Sequence, residues 1–140
     1  MKEGVLINFS GHPLNRKVIV ELKKSFLKIE EIPFDKLVFT ENIQTQIETI
    51  IEKVKTPLDG SIPITIILPG HSVISALVMV YLNGCLGYFP KICLLEPTED
   101  GIYSPSQIVI FSTYNVKMHG REFRNVAWKR RIEAQEKEKK

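Results

Sequence analysis

The sequence predicts an α/β protein of one domain, with a mostly parallel sheet covered by helices on both faces. Short apolar, β-prone runs alternate with longer runs of helical spacing along most of the 140 residues, and such alternation builds crossover units. The runs "GVLINF" (4–9) and "ITIILP" (64–69) lack the apolar-polar alternation of a half-exposed strand, as strands buried on both faces require. The length suits one sizeable core and is too short for two.

The elements follow in order. After the strand at 4–9, Pro13 sits where a helix can begin. The segment 14–28 places Leu14, Val18, Ile19, Leu22, Phe26 and Leu27 at helical spacing. "IEEIPF" (29–34) is a short strand weakened by Pro33. Residues 41–55 gather Ile43, Ile47, Ile50, Ile51 and Val54 on one face of an amphipathic helix. "TPLDGSIP" (56–63) is a turn-rich loop before the strand at 64–69. The segment 71–87 is apolar nearly all round, which predicts a buried helix stopped by a glycine. "KICLLEP" (91–97) is a further buried strand, 98–106 a loop, and "QIVIFST" (107–113) a last strand. Asn115 is placed to cap a final helix.

Composition excludes several functions. No apolar run reaches about 18 residues, so no membrane span is expected. The start "MKEGVLINFS" does not read as a signal peptide. Cys85 and Cys93 form no CxxC and have no clustered His partners, which fits buried thiols in a reducing cytoplasm and no metal site. The net charge of +3 is unevenly spread. Residues 117–140 hold nine Lys or Arg against four Glu, a net +5, while the preceding residues hold ten basic against twelve acidic, a net −2. A basic tail attracts polyanions. A solvated, fraying end is the simpler account of "EAQEKEKK", and direct binding of DNA or long RNA is not expected.

Two corners stand out. "INFSGHPLNR" (7–16) and "LPGHSVIS" (68–75) each follow a buried strand and carry Gly-His. If the helices after these central strands pass to opposite faces, a topological switch point lies between them, and ligands bind outside the carboxyl ends of strands there. Both corners then face one crevice. Gly11 and Gly70 allow close backbone approach. Asn8, Ser10, His12 and His71 supply polar groups, and Ser72 is placed to cap the second helix or donate to an anion. No GxGxxG, Walker motif or nucleophile elbow is present, no catalytic residue is assigned, and no cofactor is implied.

The pair of motifs "NFSGHPL" and "LPGHSVISALVMVYLNGCLGYFPKICLLEP", with their spacing, resembles the Csx-fifteen family. These are small stand-alone CRISPR-associated proteins of the CARF superfamily. The resemblance covers roughly residues 4–97 and more weakly the last strand and helix. It implies a Rossmann-like (CARF-type) domain over residues 1–116, a basic helix and tail over 117–140, a homodimer, and a part in type III CRISPR antiviral defence. It implies a cyclic oligoadenylate ligand held by strand-end loops of both subunits, with cyclic tetra-adenylate suited to a two-fold site. On this chain those loops are Asn8, Phe9, Ser10, Gly11 and His12, then Pro69, Gly70, His71 and Ser72. The family pattern has Ser-His-Pro where Gly11 intervenes here, and an arginine-rich strand where Leu94 and Glu96 stand here.

Three functions follow as expectations. The first is sequestration of the messenger, slightly favoured because no catalytic pair stands out. The second is a metal-independent ring nuclease using in-line attack by a ribose 2′-hydroxyl, with His12 or His71 as acid or base. The third is a nucleic-acid-binding module built on the basic tail.

Overall fold

A computed structural model describes residues 2–34, 36–97 and 103–139. Its elements are β1 (Val5–Asn8), α1 (Arg16–Leu22), β2 (Lys28–Glu31), α2 (Ile43–Ile51), β3 (Ile64–Ile67), α3 (Ser72–Leu86), β4 (Lys91–Pro97), β5 (Tyr103–Phe111) and α4 (Thr113–Glu138). The strands form one sheet of order β2-β1-β3-β4-β5. The first four are parallel and β5 runs antiparallel to β4. The α/β class and the mostly parallel sheet are therefore present, with one antiparallel edge.

Side-chain alternation along the two most apolar strands divides the core. Val5, Ile7 and Phe9 of the first corner point with Ile64 and Ile66 toward Ile47, Ile50 and Ile51 of α2 and Ile74, Val78, Leu82 and Leu86 of α3. Leu6, Ile67 and Cys93 point the other way, against Val18, Leu22 and Phe26 of the α1 segment. The helices after β1 and β3 thus lie on opposite faces, and the switch point falls between these two strands as expected.

Several element boundaries shift, each for a local reason. Asn15 rather than Pro13 sets the start of α1, its side chain accepting from Val18 N–H. Ser112 caps α4 by accepting from Asn115 N–H at 3.3 Å, so Asn115 lies inside the helix. The expected loop at 98–106 is strand from Tyr103 onward, because β5 extends its ladder with β4 as far as Pro97; residues 98–102 lie outside the described residues. The stop of α3 at Gly87 is as expected, in the left-handed conformation with φ +81°. The division drawn at 116/117 falls inside α4, which is continuous from Thr113.

A larger correction concerns α3. Only Ile74, Val78, Leu82 and Leu86 are buried, at one residue per turn, while Val73 is 50% and Val80 64% exposed. The same face of the sheet is bare beyond α3: Leu94, Val109 and Phe111 are each 40% or more exposed. Antiparallel partners share a face, and Ile92 pairs with Phe111 and Leu94 with Val109. These four residues form one apolar patch. The helix is apolar all round, but the single chain covers only one side of it.

Glu30 on β2 ties the loop after α2 to the sheet. Its carboxylate accepts from the N–H groups of Lys55 (2.8 Å) and Thr56 (3.0 Å) and from the Thr56 hydroxyl. Burial alone would raise its pKa, but these hydrogen bonds and Lys28, 3.9 Å away, hold it below the ordinary 4.5. A depressed carboxyl stabilises the fold above its unfolded pKa and loses that contribution as pH falls through the folded value. Glu30→Ala is expected to cost about 2–3 kcal/mol near neutral pH, since it strands two buried donors of Thr56 and the part-buried N–H of Lys55. Denaturant titrations of both proteins should converge as pH falls below 4.5.

Candidate functional site

The carboxyl ends of β1, β3 and β4 open onto a cavity of about 550 Å³. Five of the nine residues picked out by sequence line it: Ser10, His12, Pro69, Gly70 and Ser72. The two corners do face one crevice. Ser75, Ile92 and Leu94 are among the further lining residues and were not picked out. The signal for Ser75 was its place one helical turn after Ser72.

The first loop is built on Asn8. This side chain is 2% exposed. Its Nδ2 donates to His12 O at 2.8 Å and its Oδ1 accepts from Ser10 N–H at 2.9 Å. Ser10 Oγ in turn accepts from His12 N–H at 3.1 Å and lies 3.2 Å from His12 O. Gly11 takes φ +78°, which closes the turn and which a larger residue would resist. A Cβ there would also come within 3.3 Å of Phe34. The extra glycine therefore makes a tight, internally bonded loop that holds His12 at the cavity. Asn8 and Gly11 line a smaller neighbouring space of about 240 Å³, which shares His12.

Two expected residues lie elsewhere. Phe9 is fully buried in the core shared with α2 and α3. Strand alternation continues past Asn8 and turns the Phe9 ring away from the crevice. The His71 ring packs on Phe39, with centroids 5.1 Å apart and planes at 35°, and it does not line the cavity.

The second loop presents a helix start. His71, not Ser72, is the N-cap of α3, and its side chain makes no capping bond. Ser72 is the first helical residue. The first turn of α3 therefore offers backbone N–H groups that no side chain covers, at the positive end of the helix dipole. Ser75 Oγ donates to Pro69 O at 2.7 Å and fixes the Pro-Gly turn against the helix.

The cavity is electrostatically simple. Among the described residues, no Lys, Arg, Asp or Glu lines it. Cys93 is buried, and burial pushes its thiol up to about 11, so it is protonated and unreactive at neutral pH. His12 is the remaining titratable side chain on the wall. Glu31 stands nearby, but its carboxylate is engaged at 3.0 Å by Leu14 N–H. No cluster of three or more His, Cys, Asp or Glu suited to a metal occurs among the described residues. No helix among them is long and apolar enough to cross a membrane. The basic residues of α4 do not reach this crevice, because α4 starts at the opposite end of the sheet. There Thr113 Oγ1 donates to Phe89 O (2.8 Å) and Pro90 O (3.0 Å).

No protein-family model, curated protein or solved structure matches this chain. The functional reading therefore rests on the site.

Asn8→Ala removes both bonds that shape the first loop. It is expected to cost about 1–2 kcal/mol by leaving Ser10 N–H unpaired and His12 C=O with only the longer bond from Ser10 Oγ. Thermal unfolding reads the loss, and faster hydrogen exchange at the Ser10 amide localises it.

Proposed function

We propose that the crevice binds a cyclic oligoadenylate, cyclic tetra-adenylate foremost, and that the protein acts in type III CRISPR signalling by sequestering this messenger. The observation that carries the reading is the uncapped start of α3 facing a cavity whose wall, among the described residues, bears hydroxyls and one imidazole but no carboxylate. Such a wall favours phosphate through backbone N–H groups and the helix dipole rather than through cations. It substitutes for the arginines that the resembling family carries on its strand after Phe-Pro.

A homodimer fits this reading. Ile92 and Leu94 belong both to the cavity wall and to the bare apolar patch of β4 and β5. A second copy seated on that patch would set two crevices side by side about a two-fold axis. A ring of four adenylates has the same symmetry.

Sequestration is preferred to cleavage on the same wall. General acid–base cleavage works best with a second group beside His12 to exchange protons, and none lines the cavity among the described residues.

The test uses Ser72→Asp and labelled cyclic tetra-adenylate. Aspartate in the first turn stabilises a helix by about 0.3–1 kcal/mol. It also sets a like charge against the phosphates, so affinity should fall by at least roughly tenfold. Gel retention by the wild type, loss of retention in a variant that melts no lower, and intact ligand after long incubation are the expected results. Unchanged affinity in Ser72→Asp overturns the crevice as the site. Linear products with a terminal cyclic phosphate replace sequestration by ring cleavage.

A further inference from the structure

The C-terminal helix is the largest part of the chain that the crevice does not use. It has 26 residues and none is buried. In the linear sequence its charges are mixed, which made a solvated tail the simpler reading. The helix gathers four of its cations, while Lys129, Arg130 and Lys137 fall about 120–160° away on the side of Glu122 and Glu133. At about 100° per residue, Lys117, Arg121, Arg124, Trp128 and Arg131 fall within one sector of about 80°. Glu122 and Glu133 lie about 140–160° from the centre of that sector, and Glu138 lies two turns past its end. The stripe runs for about 21 Å along the helix. Gly120 leaves open space beside it, and an open depression is lined by Lys117, Gly120, Arg121 and Arg124. A glycine within a helix costs about 1 kcal/mol relative to alanine, and here it frees the stems of three cations. Trp128, 60% exposed, stands between Arg124 and Arg131 on the same stripe.

We infer that this stripe binds a single-stranded nucleic acid, its four cations following the phosphates while Trp128 stacks on a base. Charge complementarity selects a polyanion, and an exposed indole among cations suits an unpaired base with a free face. A lipid surface fits less well. Val116, Phe123 and Val126 share a sector of about 80° on the far side of α4, but Arg130 and Lys137 fall within the same sector, so the helix has no continuous wide apolar face to sink into a bilayer. The inference is independent of the crevice reading, because no residue of the stripe lines that cavity.

Trp128 is the sole tryptophan of the chain, so its fluorescence reports the site directly. Labelled oligouridylate RNA, a duplex of equal length and phosphatidylserine vesicles are the probes. Oligouridylate should quench Trp128. Its affinity should fall with salt with a log–log slope of roughly −3, as four phosphate contacts on a single strand give. Trp128→Ala, read by anisotropy of the label, should lose roughly tenfold in affinity with the slope unchanged. Changing Lys117, Arg121, Arg124 and Arg131 together to Gln should flatten the slope, with circular dichroism unaltered because none of the four is buried. Full affinity in the four-fold variant overturns the inference. So does RNA binding without quenching, preference for the duplex, or binding to vesicles alone. Unchanged cyclic tetra-adenylate affinity in Ser72→Asp with these results intact would strike the crevice and leave the stripe untouched.

Discussion

The molecule is organised by the parallel pairing of β1 with β3. Their register runs from Val5 opposite Ile64 to Asn8 opposite Ile67. It is extended by Phe9 N–H donating to Ile67 O at 3.0 Å. The two strands therefore end level, and their loops leave from the same height. Because α1 and α3 then depart to opposite faces, nothing crosses the gap between the loops, and a cavity is left at the strand ends. The tight fit at the other end serves the same pairing. Gly4 has φ +56°, and a Cβ there would lie 1.9 Å from Pro63 O, the acceptor of Val5 N–H. A side chain at this point would push the two strands out of register and tilt the loops above them.

Much of this was legible because burial on both faces leaves a plain mark. Continuous apolar runs identified β1 and β3, and helical spacing identified α1 and α2. Placing the crevice needed only the assumption that two helices go to opposite faces. What escaped were features set by partners distant in sequence. Phe9 belongs to the core because α2 and α3 lie over it; the apolar run 4–9 places it in a buried strand, and the family resemblance alone assigns it to the ligand loop. His71 turns to Phe39, thirty-two positions earlier. The early start of β5 reflects the ladder offered by β4, whereas "YSPS" by itself reads as a loop. Nothing in "IEEIPF" marks Glu30 for a role, because that role depends on two backbone N–H groups twenty-five and twenty-six residues away.

The apolar outer side of α3 was read correctly as residue chemistry and incorrectly as burial. Val73 and Val80 stand on the side away from the sheet. A surface helix ordinarily keeps one apolar stripe and a polar remainder. Here the remainder is Val73, Ala76, Val80 and Gly84, and the sheet next to it exposes Leu94, Val109 and Phe111. Exposed apolar area on this scale, contiguous and beside a cavity, marks an interaction surface. The proposed two-fold pairing uses that area and also supplies the second half of a symmetric ligand site, so a single assumption accounts for both features.

The two proposed anion sites hold negative charge by different physical means, and their placement follows from this. In the crevice the donors are backbone N–H groups fixed by the start of α3. They need no reorganisation, lie in a partly desolvated space, and are little affected by salt. That suits a compact ring of defined shape. On α4 the donors are long side chains in water, at the far end of the sheet, and their attraction is long-ranged and screened by salt. That suits a flexible strand of no fixed shape, drawn in by charge and held by stacking. Cations placed in the crevice would add affinity for any polyanion and so weaken its choice of ligand. Keeping them on a projecting helix separates selective recognition from general attraction within one short chain.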